Sequence, residues 1–345
     1  MSNIKTIEFK SEVLYLLDQR KLPVSYEIFE CRTYAEVSFA IRDMVVRGAP
    51  AIGEAAAYGA ALAAKEFMNE SKEVFLDRME EALEVLNRSR PTAVNLMWAI
   101  SRMRDVLEEY KDSDTVTIYE KVKAEAAEVV AEDILTNKAM AQYGNGLISN
   151  NAVILTHCNT GALATSGYGT ALGVIREAHY SGKNIFVYAD ETRPRLQGAR
   201  LTAWELKQEG IPAKLIVDSA AATLIRDGRI DMIFVGADRI ALNGDTANKI
   251  GTFMLSVVAK VYNVPFYIVA PTSTIDFSTD SGEQIHIEER SSEEITHIEG
   301  TRVVAEGIDV YNPAFDVTPH ENITGIITEK GIMHAPYKDS IKKLK

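Results

Sequence analysis

Five short runs rich in isoleucine, valine and phenylalanine, at 152–156, 184–190, 213–217, 231–236 and 265–270, recur through the second part of this chain. Helically patterned stretches separate them. Short, continuously apolar strands alternating with helices specify βαβ units and therefore a parallel sheet buried on both faces. In an open sheet of this kind ligands bind beyond the carboxyl ends of the strands. The residues that follow each run are thus where chemistry is expected.

Before residue 150 the patterning is helical instead. Residues 5–17 read as a small hairpin, and Thr33-Tyr34-Ala35-Glu36 is a capping box for the helix that follows. That helix stops at Arg47-Gly48-Ala49-Pro50. Pro50 suits the first turn of the next one, an alanine- and glycine-rich helix from Ala51 to about Met68. Two amphipathic helices follow near 72–87 and 92–110, and a second box, Thr117-Ile118-Tyr119-Glu120, opens a long helix to about Gly144. The expected fold class is α/β, with a mainly helical domain over 1–145 and an α/β domain over 146–345. The long helix serves as connector. Beyond residue 285 the pieces Gln284–Ile287 and Ile323–Thr328 look strand-like. Two domains suit 345 residues, since single cores seldom grow past about 250–300.

A net charge of -12 leaves no broad basic surface for phosphate backbones, so nucleic acid is not an expected partner. No apolar stretch approaches the roughly 20 residues of a membrane span. No signal peptide is visible, and two isolated cysteines, Cys31 and Cys158, suit a reducing compartment. A cytoplasmic protein without membrane contact is the expectation.

The strand ends hold a consistent inventory of polar residues. His157-Cys158-Asn159-Thr160-Gly161 follows the first, Asp190-Glu191-Thr192-Arg193 the second, Asp218-Ser219 the third and Gly236-Ala237-Asp238-Arg239 the fourth. Cys158 reads either as a packed small hydrophobe or, given its polar neighbours, as a site thiol. Asp190 and Asp218 read equally as helix caps or as site carboxylates. Asp238 follows a very apolar strand, where low polarity holds a carboxyl group protonated and ready to act as an acid. His157 reads as a hydrogen-bonded supporting group, and Cys31 as core. Neither a metal-ligand spacing nor a P-loop or GxGxxG is present, so no metal or cofactor is expected.

Longer strings carry more. Arg47–Gly53 (RGAPAIG), Arg90–Leu96 (RPTAVNL), THCNTGALAT from Thr156, ADETRPRLQGARLTAWEL from Ala189 and VGADRIALNGDTANKIGT from Val235 resemble the methylthioribose-1-phosphate isomerases. These are the enzymatic branch of the superfamily that also holds the regulatory α, β and δ subunits of translation initiation factor 2B. The match includes LLDQRKLP near the start and EERSSEEIT at 288–296. The resemblance implies a Rossmann-like C-terminal domain, a homodimer and a small phosphorylated pentose as substrate. It also implies conversion of 5-methylthioribose 1-phosphate to 5-methylthioribulose 1-phosphate in methionine salvage. Carried across by position, Cys158 and Asp238 are the implied catalytic pair. Arg47, Gly48, Ala49, Arg90, Gln197, Asn248 and Lys249 are the implied substrate-binding residues. Isomerases of 5-deoxyribose 1-phosphate or ribose 1,5-bisphosphate, and a non-catalytic regulatory subunit, are the neighbouring alternatives.

The chemistry fits these residue types. A furanose whose anomeric oxygen carries phosphate cannot open by losing a C1 hydroxyl proton. An acid must protonate the ring oxygen as its bond to C1 breaks, the expected task of Asp238. Hydrogen then moves from C2 to C1, with Cys158 as a base or as a stabiliser of a direct hydride shift. Arg47, Arg90 and Lys249 are the expected phosphate ligands.

Overall fold

The apolar runs build a parallel sheet. The computed structural model describes residues 4–90 and 93–344; Pro91 and Thr92, inside the Arg90–Leu96 string, lie outside the described residues. By its internal contacts the chain divides into two compact units, Met1–Ala141 with Thr160–Gly173, and Gln142–Asn159 with Val174–Lys345.

In the first unit, β1 (Ile7–Lys10) and β2 (Val13–Leu17) form the expected hairpin. A third strand that sequence patterning did not reveal, β3 (Ile28–Cys31), pairs antiparallel with β2 and places Cys31 opposite Leu14. Burial there pushes the Cys31 thiol up to about 12, as expected of a core cysteine. Helix α1 (Tyr34–Arg42) carries the Thr33–Glu36 capping box. Helix α2 (Ala49–Phe67) is buried on every side from Ala51 to Ala64, because its alanines let neighbours approach all round. It packs against α1, α3 (Lys72–Asn87) and α4 (Val94–Glu109). Helix α5 (Thr115–Asn145) starts earlier than the Thr117 box implied. Its cap is Asp114, whose Oδ1 accepts from the Thr117 N–H at 2.9 Å, a geometry at which aspartate serves as well as threonine.

The second unit holds strands β4 (Val153–Thr156), β5 (Phe186–Asp190), β6 (Ala213–Ile216) and β7 (Met232–Val235). A hairpin follows, β8 (Arg239–Ile240) and β9 (Thr246–Lys249), and then β10 (Phe266–Val269). Next come a two-residue pair β11 (His297–Ile298) and β12 (Thr301–Arg302), then β13 (Phe315–Thr318), β14 (Gly325–Thr328) and β15 (Gly331–Met333). The main sheet runs β15-β14-β10-β7-β4-β5-β6, parallel except for β15. From β6 to β14 this is the doubly wound order 3-2-1-4-5-6, and it reverses direction between β4 and β7. One face of the sheet, with Leu155, Ile233, Val235, Phe266 and Ile268, is packed under residues of α8 (Ala220–Arg226), α9 (Thr252–Val261) and α11 (Tyr337–Lys342). The remaining helices of this unit are α6 (Ala171–Tyr180, its last seven residues), α7 (Ala203–Gln208) and α10 (Glu293–Thr296). A second sheet, β8-β9-β13, is antiparallel.

Gln284–Ile287 is not a strand: Gly282–Gln284 is a 3₁₀ turn, and the Gly282 N–H is taken by Asp245 Oδ2 at 2.9 Å rather than by a ladder. Among the described residues no helix is long and apolar enough to cross a membrane.

Candidate active site

Strand β4 ends at Thr156, in register with Ala189 of β5 and Phe234 of β7. Two residues on, Cys158 is buried and has φ +62, a left-handed conformation that costs a non-glycine residue roughly 1–2 kcal/mol. Its N–H donates to Thr192 Oγ1 at 2.8 Å, and its carbonyl accepts from Thr202 Oγ1 at 2.6 Å. Thr192 is itself left-handed, at φ +65. Its N–H donates to Asp218 Oδ1 and the Arg193 N–H to Asp218 Oδ2, both at 2.7 Å. Asp218 therefore anchors the loop after β5; no side chain caps α8.

Asp190 is not a helix cap either. It is buried, and its Oδ2 lies 2.9 Å from His157 Nδ1, while His157 Nε2 lies 2.9 Å from the Ile250 carbonyl. A carbonyl only accepts, so Nε2 carries a proton and the Asp190–His157 contact holds one more. Burial opposes charge on His157, but the hydrogen bond and charge of Asp190 outweigh it and raise its pKa. Burial also raises Asp190, against the pull of His157. Both directions mean the same thing: the pair keeps its bridging proton. His157, Asp190 and Asp218 bring potential ligand atoms within 4.8 Å of one another. Both His157 nitrogens and both Asp218 oxygens are engaged in the hydrogen bonds just described. His157 is thus hydrogen-bonded at both ring nitrogens, the environment expected of it.

Asp238 stands three residues past β7, all four residues of which are buried. It is half-buried, and its N–H donates to the Ala247 carbonyl at 2.9 Å, at the root of the β8–β9 hairpin. Asn248 follows Ala247 on β9, buried, with Nδ2 donating to Thr252 Oγ1 at 3.0 Å. Lys249 Nζ donates to the Ala314 carbonyl at 3.1 Å and lies 4.5 Å from the centroid of the Phe315 ring. Gln197 is buried, and its Oε1 has no hydrogen-bond partner among the described residues, which leaves a polar atom for a ligand. It precedes a π-helical turn, Gly198–Thr202, of the kind that recurs at functional sites. Gly198 is obligatory: a Cβ there would lie 1.7 Å from the Asp190 carbonyl oxygen.

Arg47, Gly48, Ala49 and Arg90 belong to the first unit. Gly48 has φ +99, and a Cβ would lie 2.5 Å from Ala164 Cα. It is the N-cap of α2 with no side-chain cap, so the first-turn amides, that of Ala49 included, suit an anion. Arg47 and Arg90 are half-buried. Arg47 Nε donates to Gln19 Oε1 at 3.3 Å, and Gln19 Nε2 donates to the Leu163 carbonyl at 2.6 Å. Glu54, wholly buried on α2, accepts a hydrogen bond from Ser166 Oγ, and the Ser166 N–H donates to Asp133 Oδ2 at 2.9 Å. Burial, and then the charge of Asp133, raise the Glu54 pKa well above its ordinary value.

Sequence reasoning placed Thr192 at a strand end without giving it a role, and missed Thr202 and Gln19. Two lie in the string from Ala189 and one in LLDQRKLP, but nothing local marks a hydroxyl or amide that works through distant backbone.

The model of the initiation factor 2 subunit family matches residues 45–335. The chain is 74% identical to the methylthioribose-1-phosphate isomerase of Thermoanaerobacter sp. (strain X514) over the full length of both. The crystal structure of 5-methylthioribose 1-phosphate isomerase from Pyrococcus horikoshii OT3 superposes with a TM-score of 0.92 at 46% identity, covering 99% of this chain and 96% of that one. The crystal structure of translation initiation factor eIF-2B, subunit delta, from A. fulgidus has a TM-score of 0.87 at 42% identity, covering 99% of each chain.

Proposed function

The chain belongs to the initiation factor 2 subunit family, and from that footing we propose that it isomerises 5-methylthioribose 1-phosphate to 5-methylthioribulose 1-phosphate. The observation that carries the reading is topological. Cys158 and Asp238 follow β4 and β7, neighbouring strands on either side of the point where the strand order reverses. That is where an open α/β sheet binds its ligand.

Asp238 protonates the ring oxygen as the C1–O bond breaks, leaving an open-chain oxocarbenium at C1 that still carries its phosphate ester, and the C2 hydroxyl gives up its proton as the C2 ketone forms. Hydrogen then passes from C2 to C1, with Cys158 as base or as stabiliser of the transferring hydride. Arg47, Arg90 and the amides of Gly48 and Ala49 take the phosphate, a role supported by the uncapped start of α2. Gln197, with its unpartnered Oε1, Asn248 and Lys249 complete the substrate contacts. The protein works as a cytoplasmic homodimer and needs no metal or cofactor.

A second reading, a regulatory subunit without catalysis, has the likeness to the A. fulgidus initiation-factor structure on its side, and the isomerase relatives at higher identity weigh against it. One assay separates them: turnover of 5-methylthioribose 1-phosphate beside 5-deoxyribose 1-phosphate and ribose 1,5-bisphosphate. Cys158→Ser and Asp238→Asn should each lower turnover by about 10²-fold or more with the fold intact. Activity near wild type in either variant removes that residue from the mechanism, and no turnover of any of the three sugars favours the regulatory reading.

A further inference from the structure

We infer that Thr192 and Thr202 are positioning residues for Cys158, and that the buried Arg176–Glu205 ion pair holds Thr202 in that role through Asn159. This rests on the reading that the Cys158 thiol acts in the isomerisation. A non-glycine residue in the left-handed region persists only where its surroundings over-determine it. At Cys158 both flanking peptide groups are held by hydroxyls. The N–H is fixed by Thr192 at 2.8 Å and the carbonyl by Thr202 at 2.6 Å. Fixing both peptide planes fixes the direction of the Cα–Cβ bond, and so sets where the thiol is carried and which staggered positions the sulfur can take.

Each hydroxyl is itself oriented. A threonine has one proton to give, and Thr202 gives it to Cys158. Its oxygen accepts from Asn159 Nδ2 at 3.2 Å. The same amide donates to Glu205 Oε1 at 2.7 Å, and Glu205 Oε2 lies 3.1 Å from Arg176. Arg176 and Glu205 are both wholly buried. Thr192 accepts from Cys158 and donates to the Asp190 carbonyl at 3.2 Å, while Asp218 holds its N–H. The ends of β4, β5 and β6 are tied together at this one threonine, which is itself completely buried.

Valine matches threonine in shape and lacks only the hydroxyl, so Thr192→Val and Thr202→Val isolate the hydrogen bonds. Each is expected to lower kcat by about tenfold to a hundredfold, with KM changed by less than about threefold. The rate of iodoacetamide alkylation at Cys158, followed by peptide mass spectrometry, should shift by at least about threefold. Thr192→Ser and Thr202→Ser keep the hydroxyl and should restore both readouts to within about threefold of wild type. If a valine variant does not fold, the alanine variant at that position takes its place under the same criteria. Valine variants with unchanged kcat and alkylation rate, or serine variants as impaired as the valines, overturn the inference. An inactive Cys158→Ala beside unaffected valine variants overturns the positioning role alone. Near-wild-type turnover in Cys158→Ala overturns the catalytic reading and the positioning role with it.

Discussion

Replacing Arg176 by methionine should destabilise the second unit severely, because the arginine is a wholly buried partner of Glu205. Arg176 has no solvent exposure and lies 3.1 Å from Glu205 and 3.4 Å from Glu209. Methionine fills much of the volume but removes the guanidinium that faces Glu205, equally buried, whose carboxylate also accepts from Asn159. Breaking one side of a buried ion pair costs about 3–5 kcal/mol, because the surviving charge stays desolvated and uncompensated. Against a typical total of about 5–15 kcal/mol that is a large fraction. Glu205→Gln added to Arg176→Met removes the stranded charge while keeping an acceptor for Asn159. The double variant should therefore be more stable than Arg176→Met by roughly 1–3 kcal/mol, a strong departure from additivity. Urea unfolding of wild type, both single variants and the double variant measures this directly through the midpoints. A cost for Arg176→Met below about 1 kcal/mol, or a double-variant cost equal to the sum of the singles, would refute the claim that this pair is a desolvated, mutually dependent unit.

Three further expectations follow from named contacts. Gly198→Ala should cost about 1–3 kcal/mol or more, since the new Cβ overlaps the Asp190 carbonyl; an unchanged thermal midpoint would count against the close approach of the π turn to β5. Glu54 has a folded-state pKa raised above 4.5, so its stabilising contribution is full below that pH and is lost as pH rises through the folded value. Glu54→Gln should flatten the fall in stability that sets in as pH rises above about 4.5, where one such group contributes at most about 1.4 kcal/mol per pH unit; parallel wild-type and variant curves would refute this. Arg90→Ala should raise KM for the sugar phosphate about tenfold or more with kcat little changed, and an unchanged KM would remove it from the phosphate ligands.

Strand positions in the second unit were readable to within a residue or two because buried parallel strands are continuous apolar runs, and periodicity is a local property. The cap at Thr33 was equally readable, since its partner Glu36 is three residues away. Asp114 was missed in favour of Thr117 because both offer the same oxygen chemistry to nearby amides. Asp190 and Asp218 could not be told from helix caps, since their partners, His157 and the Thr192 and Arg193 amides, are 25–33 residues away.

Cys158 and Asp238 stood out in the chain itself, as polar residues released at the ends of apolar strands. The sequence alone also determined that the first 145 residues would be mainly helical and the next stretch a parallel sheet, because propensity and hydrophobic period act over a few residues. Only the tertiary structure decided that β4 and β7 are neighbours, that two threonines 34 and 44 residues away hold the Cys158 backbone, and that Thr160–Gly173, directly after Asn159, packs with the helical unit. Those pairings join residues far apart in the chain, and what selects them is the joint burial of whole strands and helices rather than any pattern a short window contains.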